Sequence, residues 1–526
     1  MTEKSRLTQE LQKQTQCPLC QEYVDGNLRS HIMDAHGEEE FRRAVLADKE
    51  RGMPDPQIGE RYGISFGTLE QIVTEAYGAN ISVLRCPKRV KRWQPPNFRE
   101  EATTVWSFKQ RGDWATHDGR YRGNWSPYIP RNVILKYSRP GDIVLDYFVG
   151  GGTTAVEAKL LGRRCIARDI NPGAVGITLE NLNFSPPRQL FGDGLLQIYE
   201  PEVSVGDARE LSGIRDNSVD LICAHPPYAG IIQYSAKIPG DLSDLPVQDF
   251  LVEMRKVAKE SLRVLKPGGK CAILIGDARK AKHVVPIGFQ TIRVFLDAGF
   301  ALRELVIKRQ HNCKTTGFWY TRSIQYNFLL LAHEYLPIFE KPLAERVGEQ
   351  RALWEYTPPH QMTLARVPKI GEENLETTTV WIFPGDRMES EVKRNLLRRF
   401  AVAGEEFIEV RFNGGKHDFA LASAENIRLL FLHSPEQGTQ ETFTGYQRAI
   451  KKTVAQCRDL LPSGSFLVLE ARDFRVGNGL VPAGLLLWED MIHQRDFLLR
   501  EIVIVAPEGT PHSGYKEHLE IIHRYL

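Results

Sequence analysis

The chain has no run near the roughly 18 consecutive apolar residues that a membrane-spanning helix requires. Its first residues, MTEKSRLTQELQKQTQ, also lack the apolar centre of a secretory signal. Cysteine is scarce, eight in 526 residues, which argues against a disulfide framework and points to a reducing compartment, the cytoplasm by default. An excess of one charge is missing too: 68 Lys and Arg stand against 66 Asp and Glu, a net charge of +2. A chain-wide basic field for nucleic acid is thereby excluded, and any such surface has to be local. What is present is ordinary for a globular protein, 42% apolar and 25% charged residues. One core does not serve a chain this long, so several domains are expected.

The first chemistry-bearing residues fall in a module expected over 1–45. Cys17-Pro-Leu-Cys20 is followed by His31 and His36. Two thiolates and two imidazoles suit tetrahedral Zn2+, and the two histidines lie a little over one helical turn apart. The pattern resembles a C2H2 zinc finger with a central spacer about two residues shorter than usual. Residues 46–84 then read as a helix-turn-helix. Ile58, Tyr62, Ile64 and Leu69 supply a small core, Gly63 the turn and Ser65 the N-cap of the second helix. A second helix of this kind can enter a major groove. The basic, proline-broken linker 85–102 is suited to phosphate contact.

From Pro140 the pattern alternates strand and helix. "GDIVLDYFVGGGTTAVEAKLLG" reads as a buried strand (Ile143–Tyr147), a glycine turn and an amphipathic helix starting near Thr153. "RRCIARDI" is a second strand ending at Asp169, whose carboxylate can bind ribose hydroxyls. "VSVGDARELSG" brings a strand to Asp207, placed to accept from an adenine amino group. "NSVDLICAHPPY" is the fourth strand and ends in His225-Pro226-Pro227-Tyr228. A long helix (Val247–Leu265), the turn-and-strand "LKPGGKCAILIGD" and a final strand pair follow.

Together the "LDYFVGGGTT" and "HPPY" loops resemble those of the S-adenosylmethionine-dependent DNA amino-methyltransferases, over about 103–340. The resemblance implies an α/β, Rossmann-like seven-stranded methyltransferase sheet. It implies a cofactor loop of Asp146, Gly150, Gly152 and Thr153, with Asp169 and Asp207 beyond it. Trp125 and Ser126 would lie near the methionine end. The cofactor loop precedes the catalytic loop, the reverse of many members, so the chain is a permuted variant. The substrate implied is double-stranded DNA with base flipping, hence a nucleoid-associated cytoplasmic enzyme. Cognate restriction or defence proteins are the partner class, and oligomeric state is left open.

The chemistry is consistent with that resemblance. An exocyclic amine on adenine or cytosine is a poor nucleophile because its lone pair is delocalised into the ring. Pro-Pro carbonyls are rigidly placed, without competing N–H groups, and suit accepting from the amine. Tyr228 can stack on a flipped base, and transfer is an in-line displacement governed by positioning. Cytosine-C5 chemistry is excluded, because none of the cysteines follows a proline. His225 stands where the family has Asp, Asn or Ser. A neutral imidazole accepts but an imidazolium does not, so a participating His225 predicts a rate that falls with pH across about 5.5–7.5. N4 of cytosine is slightly favoured over N6 of adenine by "FxGxGTT…DINP" and "PPYxxxIxYS". The competing functions are RNA or protein-amide methylation, and a DNA-binding regulator with a vestigial fold.

The C-terminal third is expected to be a duplicate of the first domain, the alternative being a separate α/β domain whose likeness is chance. "CRDLLPSGSFLVLEARDFRVGNGLVPAGLLLWEDMIHQRDFLLREIVIV" tracks "SLRVLKPGGKCAILIGDARKAKHVVPIGFQTIRVFLDAGFALRELVIK", pairing Pro267 with Pro462, Gly269 with Gly464, Pro286 with Pro482 and Glu304 with Glu501. Val105 to His225 spans 120 residues but Val380 to His433 only 53, so the glycine-rich loop is missing. His433-Ser434-Pro435-Glu436 also replaces the Pro-Pro pair and the aromatic ring. After a linker at 341–371, residues 372–526 are expected to be a degenerate, non-catalytic methyltransferase-like domain that packs on the first.

Overall fold

The computed structural model describes the chain apart from residues 1–14, 25, 52, 78–89, 120, 122, 187–196, 230–237, 312–315, 344–360, 372–374, 413–425, 436–438, 495, 509–517 and 526. The start of the basic linker, most of the 341–371 linker, the end of the "PPYxxxIxYS" stretch and Glu436 lie outside the described residues.

Strands β1 (Thr15–Gln16) and β2 (Tyr23–Val24) form a short antiparallel pair with Cys17 and Cys20 in its turn. Helix α1 (Leu28–Glu50) starts at Asn27, whose side chain accepts from the amides of Arg29 and Ser30. It kinks at Gly37, whose φ of +78° breaks the helical run, and carries on through the expected boundary at 45. Helices α2 (Asp55–Tyr62) and α3 (Phe66–Tyr77) meet at left-handed Gly63. Ile58, Tyr62, Ile64 and Leu69 are buried in one core with Phe41 and Val45 of α1. The Tyr62 hydroxyl donates to Asp48 at 2.8 Å. The cysteine knuckle and the helix pair therefore share one hydrophobic core.

The main domain comprises β3 (Val105–Ser107), α4 (Tyr128–Tyr137), β4 (Ile143–Asp146), α5 (Thr153–Leu160), β5 (Arg164–Asp169), α6 (Pro172–Leu182), β6 (Glu202–Val205), β7 (Val219–Ala224), α7 (Val247–Val264), β8 (Leu265–Ile273), the hairpin β9 (Ala278–Lys280) and β10 (His283–Val285), α8 (Ile287–Asp297), β11 (Ala301–Arg309), α9 (Thr316–Gln325) and β12 (His333–Glu340). The sheet order is β3-β11-β12-β8-β7-β4-β5-β6. Only β12 runs antiparallel to its neighbours. This is the expected Rossmann-like methyltransferase sheet, with β3 added as an eighth strand parallel to β11. The order reverses between β4 and β7, and α/β folds bind ligands outside the strand ends at such a switch point. Helix α5 is buried on every side rather than amphipathic, because α4 and α6 flank it. Helix α3 packs against α6.

A second sheet follows, from β13 (Gln361–Arg366), β14 (Val380–Phe383), α10 (Met388–Phe400), β15 (Glu406–Arg411), β16 (Ile427–Leu432), α11 (Gln440–Cys457), β17 (Phe466–Ala471), the hairpin β18 (Phe474–Val476) and β19 (Gly479–Val481), α12 (Ala483–Ile492), β20 (Phe497–Pro507) and β21 (His518–Tyr525). Read from its β14 edge, the order β14-β20-β21-β17-β16-β15 matches β3-β11-β12-β8-β7-β4 strand for strand. Beyond β15 the parallel pair β5-β6 has no counterpart among the described residues, and antiparallel β13 occupies the edge. Both β11 and β20 carry a register shift, beside Glu304 and Glu501. The domains meet in reciprocal fashion: Arg279 of β9 pairs with Glu501 of β20, and Arg475 of β18 with Glu304 of β11. Arg293 of α8 pairs with Glu489 of α12 between them. Such reciprocity is what an approximate two-fold axis between two like units produces.

Candidate active site

The strand ends at the switch point open on a cleft. Its wall includes Trp125, Gly150, Asp169, Asp207, His225, Pro226 and Pro227 from the residues expected in the site. Tyr121, Asn124, Asn171 and Asp241 join them. Sequences over 75 residues apart are brought together because β4, β5 and β7 run parallel and end at the same edge.

The glycine turn is shaped by contact as well as conformation. Gly150 has φ +53°, and a Cβ there would lie 2.9 Å from the Tyr121 ring. Gly152 (φ +81°) caps α5, where a Cβ would meet Thr178 at 3.0 Å. Asp169 braces the turn by accepting from the Gly150 and Asn171 amides, each at 2.9 Å. Burial pushes the Asp169 carboxyl up to about 6 and that of Asp146 to about 7. Asp146 accepts from the Phe148 amide at 3.0 Å and lies under the turn, outside the cleft wall. The Thr153 hydroxyl donates to the Asn124 side chain at 2.8 Å, tying α5 to the loop before α4.

Two expected contacts are differently engaged. Asp207 is bound by the Arg209 guanidinium, which outweighs partial burial and holds its carboxyl below the usual range. The Ser126 hydroxyl donates to the Arg111 carbonyl at 2.7 Å, so it fixes the loop rather than facing the cleft. That loop is further held by buried Glu157, which accepts from Trp114 at 2.7 Å and Arg131 at 2.8 Å and contacts His117 at 2.7 Å.

At the end of β7, His225 stacks on Trp125 with ring centroids 5.5 Å apart. Its Nε2 is 3.0 Å from the Tyr228 hydroxyl, which donates to Glu334. Glu334 is also paired with Lys308 at 2.7 Å. Lys308, His225 and Tyr228 hold the Glu334 carboxyl down at about 2 against the opposing effect of burial. Burial lowers His225 to about 4, which corrects the window expected from an ordinary histidine. The imidazole is neutral throughout pH 5.5–7.5, and its protonation belongs near pH 4. Glu334 and Lys308 were not anticipated, although a lone acid in the apolar run "YNFLLLAHEYL" was a signal.

In the N-terminal unit the expected metal ligands converge. Cys17 Sγ is 3.6 Å from His36 Nε2 and Cys20 Sγ is 3.4 Å from His31 Nε2. All four ligand atoms lie within 4.8 Å of one another. Helix α3 carries no basic residue, and its described exposed positions are Gln71, Glu75 and Ala76. Among the described residues no helix is long and apolar enough to cross a membrane.

Residues 78–180 match the profile of the N6_N4_Mtase family, described as DNA methylase. The chain is 37% identical over 196 residues to the tRNA (guanine(10)-N2)-dimethyltransferase of Methanothermobacter thermautotrophicus, covering 37% of this chain and 48% of that protein. It is 27% identical over 168 residues to Type II methyltransferase M.MthZI of the same species, covering 28% and 47%. Against Type II methyltransferase M.MjaI of Methanocaldococcus jannaschii it is 24% identical over 249 residues, covering 40% and 78%. The chain thus spans about half the length of the first two relatives.

Proposed function

We propose that the chain is an S-adenosylmethionine-dependent methyltransferase that modifies an exocyclic amine in double-stranded DNA, N4 of cytosine ahead of N6 of adenine. The observation that carries this reading is one cleft in which the Gly150–Asp169 end meets His225-Pro226-Pro227. The residues fit the cofactor: Gly150 leaves space that a Cβ would fill, and the Asp169 carboxylate faces the same cleft. When bound, S-adenosylmethionine supplies an electrophilic methyl on a sulfonium.

The chain's own residues do the rest. Asp169 accepts from ribose hydroxyls while its backbone bonds keep the glycine turn closed. Pro226 and Pro227 offer carbonyls with no N–H beside them, so a target amine is held by its hydrogens and its lone pair points into the cleft. The His225 imidazole bonds the Tyr228 hydroxyl, and its stack on Trp125 fixes the ring. Tyr228 is tethered through its hydroxyl and presents ring surface to a flipped base. Cys17, Cys20, His31 and His36 hold a structural Zn2+. Their 3.4 and 3.6 Å separations fit the roughly 3.5 Å edge of a tetrahedron with bonds of about 2.0–2.3 Å.

A second reading is RNA methylation, favoured by the 37% identity to a tRNA guanine-N2 enzyme, since that N2 is also an exocyclic amine. Transfer of a labelled methyl group to duplex DNA, to RNA and to protein separates these readings. Label in DNA, mapped to cytosine, is expected; label in RNA alone overturns the proposal. We further read residues 372–526 as the expected degenerate copy, supported by its matching strand order, in which the described residues hold no counterpart of β5-β6.

A further inference from the structure

The second sheet carries polar chemistry where the first has apolar core. β7 and β8 pair Ala224 with Ile273, and β16 and β17 pair Leu432 with Leu469. Since His225 and His433 follow Ala224 and Leu432, Glu470 occupies the position of Leu274. The bridge between Ile275 and Tyr335 likewise corresponds to the pair Ala471 and Leu519. Glu520 therefore stands where Leu336 does, and His518 where Glu334 does. In the first domain Leu274 and Leu336 are core residues.

Glu470 and Glu520 are direct cross-strand partners. Two carboxylates facing each other on neighbouring antiparallel strands repel, and here they are 3% and 0% exposed. His518, two residues before Glu520, projects from the same face and is 6% exposed. Part of the charge is answered. Arg472 and His433 bind Glu470, at 2.5 and 3.0 Å, and His433 also bonds Glu409 at 2.6 Å. Glu520 is answered only in part. Among the described residues neither of its oxygens meets hydrogen-bond geometry, and the basic group beside it is His518, whose Nε2 lies 3.2 Å away. A fully buried carboxylate left this way is unfavourable unless it takes up a proton or a cation is supplied.

We propose that Glu470, His518 and Glu520 form a binding site for a divalent first-row transition metal ion, such as Zn2+ or Mn2+. Their ligand atoms all lie within 4.8 Å of one another, and two carboxylates with an imidazole are a donor set for such ions. One ion neutralises both carboxylates and clamps β17 to β21. His433 and Glu409 then form an outer chain that orients Glu470, in the way hydrogen-bonded partners orient ligands in metal sites. The site lies between β17 and β21 of the second sheet, away from the cleft of the first domain, so its role is to stabilise that domain.

Metal counting on the full chain tests this without altering the site. Replacing both cysteines, Cys17→Ser with Cys20→Ser, removes the thiolates of the N-terminal site, and this variant, loaded with Zn2+ or Mn2+ and exhaustively dialysed, is expected to retain one equivalent. Its Co2+ form is expected to show d–d bands without thiolate charge transfer. A Cys17→Ser, Cys20→Ser protein that retains no metal overturns the proposal. Adding Glu520→Gln or His518→Gln is expected to remove the retained equivalent. Retention of a full equivalent by both folded triple variants also overturns it. Should these variants fail to fold, the count and Co2+ spectrum of the Cys17→Ser, Cys20→Ser protein alone decide.

Discussion

At the residue scale, burial sets the pH behaviour of the site. Asp169 has its carboxyl raised to about 6, so it becomes an anion only above that pH. Protonation weakens it as an acceptor for ribose hydroxyls. Cofactor affinity measured by calorimetry is expected to fall about tenfold from pH 8 to pH 5, and Asp169→Asn to lie near the low-pH affinity at every pH. His225, at about 4, contributes nothing to the rate profile between pH 5.5 and 7.5. A fall in single-turnover rate attributable to it is expected only below about pH 5, and His225→Asp removes that limb. Tyr228→Phe keeps the ring but loses the bond to Glu334, whereas Tyr228→Ala loses both. Turnover is expected to fall further in the alanine variant, with cofactor affinity little changed in either.

At the scale of elements, what matters is how a helix and a loop are fixed to one another. Glu157, on α5, holds the segment before α4 through Trp114, His117 and Arg131. Arg131 is 3% exposed and Glu157 0%, so removing the acid leaves a buried cation. Glu157→Gln is expected to cost about 3–5 kcal/mol in denaturant unfolding and to weaken cofactor binding, because Asn124 and Trp125 lie on that segment. Element boundaries were partly legible. The helix starting at Thr153 and the strand ending at Asp169 fall where pattern put them. The third strand ends at Val205, two residues before Asp207, and α1 runs past 45 because its second half packs on Tyr62. Local pattern sees neither packing partner.

For the whole molecule, the two-fold arrangement makes matched positions testable against each other. Glu501 is fully buried against Arg279, while Glu304 and Arg475 are partly exposed. Glu501→Ala is expected to cost about 3–5 kcal/mol, and Glu304→Ala less than about 1 kcal/mol, both read from unfolding of the full chain. Equal costs would contradict the burial difference. The same matching extends to residues that pair in the two stretches of sequence. Pro286 and Pro482 both precede a helix at the domain contact, and Glu304 and Glu501 both sit at a register shift.

The sequence by itself determined the order of strands and helices, the glycine turn, the His-Pro-Pro-Tyr loop and the Cys and His spacing. These are local: turn conformation and apolar periodicity need only near neighbours. Tertiary structure alone decided which charges meet. It placed Glu334 and Lys308 behind Tyr228, turned Asp207 onto Arg209 and set Glu470 against Glu520. Each pairing joins strands or loops through register or burial, and the free energy of an ionisable group depends on what encloses it.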